Sequence, residues 1–129
     1  MKAFQEAVEA RDFAAIEALL ADDVVFVSPV AFTPYPGKKI TIAILKQVIQ
    51  VLEGFTYERV LGEEGARDQG LVFTARVQGK SITGCDFLRL NDEGLISEFM
   101  VMVRPLSAAQ ALAEEMGARF EQIKADAAS

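Results

Sequence analysis

Between Leu71 and Val103 the chain carries three strand-like segments with almost nothing between them. "LVFTARV" places Leu71, Phe73, Ala75 and Val77 on one face. "SITGCDFLRL" does the same with Ile82, Gly84, Asp86, Leu88 and Leu90, and "LISEFMVMV" with Leu95, Phe99, Val101 and Val103, with Ser97 among them. Successive side chains of a strand point to opposite faces, so each segment has one apolar face to bury. The connections are "QGK" and "NDEG". Links this short join antiparallel neighbours, because a parallel pair needs a crossover of a dozen residues or more. The chain must therefore build an antiparallel meander with one apolar face, and the remaining segments must cover it.

Those segments read mostly as helices. Phe4 and Val8 share a helical face. Asp12 is an N-cap ahead of "FAAIEALLADD", where Phe13, Ile16, Leu19 and Leu20 form the next stripe. "DVVFVSPV" is a strand ended by Pro29, and "AFTPYPGKK" is a loop. From Lys39 to Glu53, Ile40, Ile44, Val48 and Leu52 lie four apart, widened by Leu45 and Ile49, which predicts a helix buried on most sides. "FTYERVLG" is strand-like. "SAAQALAEEMGARFEQIKA" reads as one C-terminal helix, with Ser107 and Gln110 as a capping box and Leu112, Met116, Phe120 and Ile123 as its stripe. The order predicts an α+β fold in one domain, residues 1–129: a curved antiparallel sheet with helices on its concave face, shaped as a cone, plus an extra C-terminal helix. Such a cone leaves room for an apolar cavity.

Composition excludes several functions. Nineteen acidic against thirteen basic residues give a net charge of −6, which disfavours nucleic acid and anionic membrane surfaces as partners. No apolar run is long enough to span a bilayer, and "MKAFQEAVEA" reads as an amphipathic helix rather than a signal peptide. Cys85 is the only cysteine, which suits a reducing, cytoplasmic setting. There is no histidine, so the commonest metal ligand and the usual neutral-pH proton shuttle are missing, and no metal or cofactor is expected.

Asp86 is the residue that demands an explanation. It is the one charge on an otherwise apolar strand face, where an unpaired carboxylate is costly. Among Leu71, Phe73, Leu88, Phe99 and Val101 its pKa is expected to rise, so that it donates a hydrogen bond as the neutral acid or exchanges a proton near neutral pH. The plain alternative is a core carboxyl bonded to backbone, to water, or to Tyr35 or Tyr57. Ser28 follows the first strand and either orients a ligand or satisfies local backbone before Pro29. Tyr35 lies over the cavity mouth or packs on a helix. The opposite sheet face carries Val72, Cys85, Phe87, Met100 and Met102 among Arg76, Arg89, Glu98 and Arg104. Cys85 there reads as a small packed residue. That mixture suggests a homodimer surface through Phe87, Met100 and Met102, unless the C-terminal helix covers it.

Three stretches resemble the SnoaL-like branch of the nuclear transport factor 2-like superfamily: "RDFAAIEALLADDVVFVSPV" with "PYPGKK", "GCDFLRLNDEGLI", and the tail "VMVRPLSAAQALAEEMGARF", which is similar to many bacterial members. Asp86, Arg89, Asp92 and Gly94 fit the second motif, with one extra residue in the turn. The resemblance implies the cone fold and a dimer, and leaves function open, because this fold hosts enzymes, carriers and interaction modules. Against the ketosteroid isomerases, the helix tyrosine falls on Phe4 and the general base on Ser28, and only the protonated Asp is kept, at Asp86; isomerisation by that mechanism is disfavoured. Against the polyketide cyclases, Asp86 matches the acid/base, but the histidines near the substrate are absent. Against the epoxide hydrolases, Asp86 stands for one member of an Asp–Arg–Asp set.

The sequence thus points to a small-molecule-binding domain. Its cavity would be lined by Phe4, Leu20, Phe26, Val48, Leu52, Tyr57, Phe73, Leu88, Phe99 and Val101 and anchored by Asp86, for a small apolar molecule with a hydroxyl or carbonyl. The alternatives are a cofactor-free lyase, isomerase or cyclase using Asp86 as acid/base with Ser28 or Tyr57 assisting, and a non-catalytic dimeric interaction module.

Overall fold

The computed structural model describes residues 1–129. Along the chain run α1 (Lys2–Glu9), α2 (Phe13–Leu19), β1 (Leu20–Val27), β2 (Tyr35–Pro36), α3 (Lys38–Val51), β3 (Glu53–Leu61), β4 (Asp68–Val77), β5 (Lys80–Leu90), β6 (Ile96–Arg104), α4 (Leu106–Ala118) and α5 (Phe120–Ala128). The strands form one curved, unclosed sheet in the order β2-β1-β6-β5-β4-β3. All its neighbours are antiparallel except β1 and β6, which run parallel, with Phe26 opposite Phe99. The antiparallel sheet thus takes in one parallel pair: β1 is separated from β6 by about seventy residues of chain, so no short link dictates its direction.

The meander forms as its turns require. Gln78 and Gly79 both hold positive φ, at 52° and 74°, as the tightest hairpin turn demands. This keeps β4 and β5 in unbroken register from Asp68 opposite Arg89 to Val77 opposite Lys80. Leu71, Phe73, Ala75, Val77, Ile82, Asp86, Leu88 and Leu90 are consequently all buried on one face. On β6 the expected face shifts at its start. A bulge between Arg89 and Leu90 sets Ile96 opposite Leu90, so Ile96 is buried rather than Leu95 or Ser97. The Ser97 hydroxyl instead donates to the Arg89 carbonyl at 3.1 Å.

Both core clusters lie on that face. One joins Phe4, Ile16, Leu20, Leu45, Leu88, Ile96, Phe99 and Ile123, drawing in α1, α2, α3 and α5. The other sets Val51 at the end of α3, Leu52 just after it, and Ala108, Ala111 and Leu112 of α4 against Phe73, Val77 and Ile82. The C-terminal segment therefore covers the inner face and leaves Phe87, Met100 and Met102 on the other, with Met102 53% exposed. Arg89 bridges Asp68 at 2.9 Å and Glu98 at 3.7 Å across that outer face. Asp12 caps α2 as expected, its carboxylate accepting from Ala15 N at 3.1 Å. The predicted capping box does not form, because α4 already begins at Leu106 and Ser107 sits inside it. The single C-terminal helix is two helices, broken at Arg119, whose guanidinium donates to Gln47 Oε1 at 2.9 Å and Gln50 Oε1 at 3.1 Å of α3.

Gly84 lies directly opposite Phe73. A Cβ there would meet the Phe73 ring and come within 2.8 Å of the Met102 carbonyl oxygen. The ring also stacks on Phe55 with centroids 4.8 Å apart, and the Met102 carbonyl is backbone of the neighbouring strand and cannot swing aside. Gly84→Ala is expected to destabilise the fold by about 1–3 kcal/mol through overpacking. A urea midpoint equal to that of the parent protein would contradict this.

Candidate functional site

Asp86 sits at the middle of β5 on the concave face, opposite Leu71 on one side and Val101 on the other, and is only 6% exposed. Tyr57 reaches it from β3. Phe55 and Tyr57 are two apart on that strand, so both rings point inward, 4.9 Å apart and edge to face. The Tyr57 hydroxyl donates to Asp86 Oδ2 at 3.2 Å. No other protein group bonds the carboxyl, and no buried polar atom is left without either a partner or access to open space. Oδ1 is therefore turned to the cavity that Asp86 lines.

Burial pushes the Asp86 carboxyl up to about 7; the Tyr57 hydrogen bond pulls the other way but is outweighed. Tyr57 is held well above the ordinary phenol range by its own burial and then by the neighbouring carboxylate, so it remains a donor. Near neutral pH this pair offers a permanent O–H donor beside a group poised between acid and base.

The cavity has a volume of about 410 Å³ and is lined by 27 residues, 23 of them hydrophobic. Asp86 is the only charged side chain among them, and Ser28, Tyr35 and Tyr57 supply the hydroxyls. Of the residues singled out from sequence, Phe4, Phe26, Ser28, Val48, Leu52, Tyr57, Phe73, Asp86, Phe99 and Val101 all line it. Leu20 and Leu88 do not: both are packed into the core, Leu20 where α2 passes into β1. Ser28 lies at the rim and accepts from Val30 N at 3.1 Å, a local turn bond. Tyr35, expected in a loop, pairs with Phe26 as β2, and its ring lies 6.2 Å from that of Phe120.

Sequence reasoning missed the contribution of the C-terminal helices. Leu112, Ala113, Met116, Gly117, Phe120 and Ile123 form a wall of the cavity. Their helical stripe is visible in the sequence, but nothing in it says that α4 packs on the sheet and α5 on α3. Cys85 points to the other face and is free, its thiol raised mainly by burial. No group of three or more His, Cys, Asp or Glu side chains is placed to hold a metal ion. No helix is long and apolar enough to cross a membrane.

The SnoaL-like domain family matches residues 1–99, up to the middle of β6. A steroid delta-isomerase from Pseudomonas aeruginosa is 41% identical, with 95% of this chain and 89% of that chain covered and a TM-score of 0.87. A bacterial protein with a cystatin-like fold from Silicibacter pomeroyi DSS-3 is 34% identical, covering 97% and 92%, with a TM-score of 0.85. RV0760c from Mycobacterium tuberculosis, solved in complex with estradiol-17beta-hemisuccinate, is 22% identical over 83% of this chain and 92% of that chain, and at a TM-score of 0.63 shares the fold. No curated protein matches the chain.

Proposed function

We infer function from membership: the chain belongs to the SnoaL-like domain family, within the nuclear transport factor 2-like superfamily. On that premise we propose that it is a small-molecule-binding domain whose ligand is compact, uncharged and mostly apolar, with one hydroxyl or carbonyl that meets Asp86 and Tyr57. The observation that supports this is the cavity itself. It falls within the few-hundred-Å³ range of ligand pockets and is mostly apolar, with the Asp86–Tyr57 pair as its one hydrogen-bonded polar pair. With no Lys or Arg in its lining and a carboxyl at its polar end, it disfavours anionic ligands. The steroid named for one relative and carried by another sets the choice of probes.

Estradiol, which presents hydroxyls, and androstenedione, which presents carbonyls, are expected to raise the melting temperature, and the steroid hydrocarbon without oxygen to do so far less. Tyr57→Phe and Asp86→Asn should each weaken estradiol binding by about tenfold or less, the scale of one hydrogen bond. If neither oxygenated steroid moves the transition, the reading fails.

A catalytic version is favoured by the 41% identity to a steroid delta-isomerase. It is a cofactor-free proton transfer of the isomerase, lyase or cyclase kind. Asp86 would take a proton from carbon and return it, while Tyr57 holds the substrate oxygen on which charge develops. Offering a β,γ-unsaturated ketosteroid and watching for the conjugated enone separates turnover from binding alone. Assembly as a homodimer through Phe87, Met100 and Met102 belongs to the same proposal, supported by an outer sheet face that no helix of the chain covers. So does a cytoplasmic location, supported by one free thiol.

A further inference from the structure

Among the 27 residues that line the cavity, only Val30 and Gly117 are exposed. Val30 belongs to the segment after β1, and Gly117 to the last turn of α4. Their exposure points to an opening of the cavity between these two elements. Around that opening stand Pro29, Ala31 and Tyr35 on one side and Ala113, Met116 and Phe120 on the other, all partly buried. The Tyr35 and Phe120 rings bridge the two sides at 6.2 Å.

Gly117 has no local reason to be glycine. It lies within α4 and is not among the glycines with positive φ, so its backbone is open to any residue. Inside a helix, glycine is less favourable than alanine. A Cβ built on it meets no atom within 4 Å. No neighbour excludes a side chain there, and the residue itself lines the cavity. Ala113 lies one helical turn earlier on the same face and also lines the cavity. Two small residues thus stand at the one edge of the wall where larger side chains would narrow the opening.

Resting on the ligand-binding reading above, we infer that Gly117, with Ala113 behind it, is the specificity-determining position of this cavity: it lets a ligand longer than the cavity extend out between α4 and the segment after β1. A ligand short enough to lie wholly against Asp86 is indifferent to residue 117. One with more fused rings must cross the gap and is sensitive to it. Both residues lie beyond residue 99, outside the part of the chain that the family match covers.

Two fluorescent aromatic alcohols of different size provide the test: 2-naphthol, with two rings, and 1-hydroxypyrene, with four. Each is titrated against the parent protein, Gly117→Ala, Gly117→Leu and Ala113→Leu, and all four proteins are first checked for an intact cooperative melt. The parent and Gly117→Ala are expected to bind both probes. Gly117→Leu is expected to lose about tenfold or more in affinity for 1-hydroxypyrene while binding 2-naphthol within about threefold of the parent. Ala113→Leu reports on the same wall independently should Gly117→Leu fold poorly. If both leucine variants bind 1-hydroxypyrene as the parent does, the mouth is elsewhere and the inference falls while the ligand-binding reading stands. If the parent binds neither probe, this inference falls, and the ligand-binding reading is decided by the steroid melts above.

Discussion

At pH 8, Asp86→Asn should be more stable than the parent protein by about 4 kcal/mol, and at pH 4 the two should differ by less than about 1 kcal/mol. The reason is the desolvated carboxyl. Its folded-state pKa lies near 7, against an ordinary 3.8. Below about pH 4 the group is protonated in the folded and the unfolded chain alike, and burial meets no charge. As the pH rises toward 7 the unfolded chain releases the proton and the folded chain keeps it, so stability falls. Above 7 the folded chain must carry a buried carboxylate, and the loss is complete. The gap of roughly three pH units, at about 1.36 kcal/mol each, gives the magnitude. Asparagine keeps the shape and can still accept the Tyr57 hydrogen bond, but it has no proton to lose. The other carboxylates titrate in both proteins, so the difference between them isolates Asp86. Urea denaturation at pH 4, 6 and 8 measures it, and a difference that stays constant across the three would show that the carboxyl is not held neutral.

Phe99→Ala should cost about 3–5 kcal/mol, the range for deleting a buried aromatic ring. Phe99 is 1% exposed and touches three parts of the fold. Its ring meets Phe4 of α1 edge-on at 5.5 Å and Phe26 of β1 at 5.5 Å, and it stands opposite Leu88 of β5. It is therefore the point where the parallel pairing of β1 is tied to the meander. Because one side of the ring also faces the cavity, its loss enlarges an existing space and the surroundings have little to collapse onto. For a domain of this size the melting temperature should fall by roughly 10 °C or more. Met102→Ala, three positions along the same strand on the exposed face, should cost less than about 1 kcal/mol. A Phe99→Ala loss below about 2 kcal/mol would mean that α1 and β1 are held by something other than this cluster.

How far the site was legible follows from which forces act locally. Asp86 could be placed on the inner face from alternation alone, because the turn at Gln78 and Gly79 leaves the β4–β5 register no freedom. Its partner could not be placed. Tyr35 and Tyr57 were equal candidates until β3 came alongside β4 and set Tyr57 within 3.2 Å. Alternation alone puts Leu95 and Ser97 on the buried face, but a single bulge at Arg89 and Leu90 inverts it, and a bulge leaves no mark in an apolar pattern. Leu20 belonged to a helical stripe, yet it begins β1. Pairing with Ile96 overrode local propensity there. The break at Arg119 was equally hidden, since the apolar stripe of Leu112, Met116, Phe120 and Ile123 continues through it.

From the residues alone came the meander, the helical stripes and one inward carboxyl, all products of periodicities two and 3.6 residues long and of turns a few residues wide. The folded chain alone decided that β1 runs parallel to β6, that Tyr57 rather than Tyr35 answers Asp86, and that residues of α4 and α5 wall the cavity. Those outcomes depend on contacts between segments tens of residues apart. Their energies are set by mutual burial, and no short stretch of sequence contains both sides of such a contact.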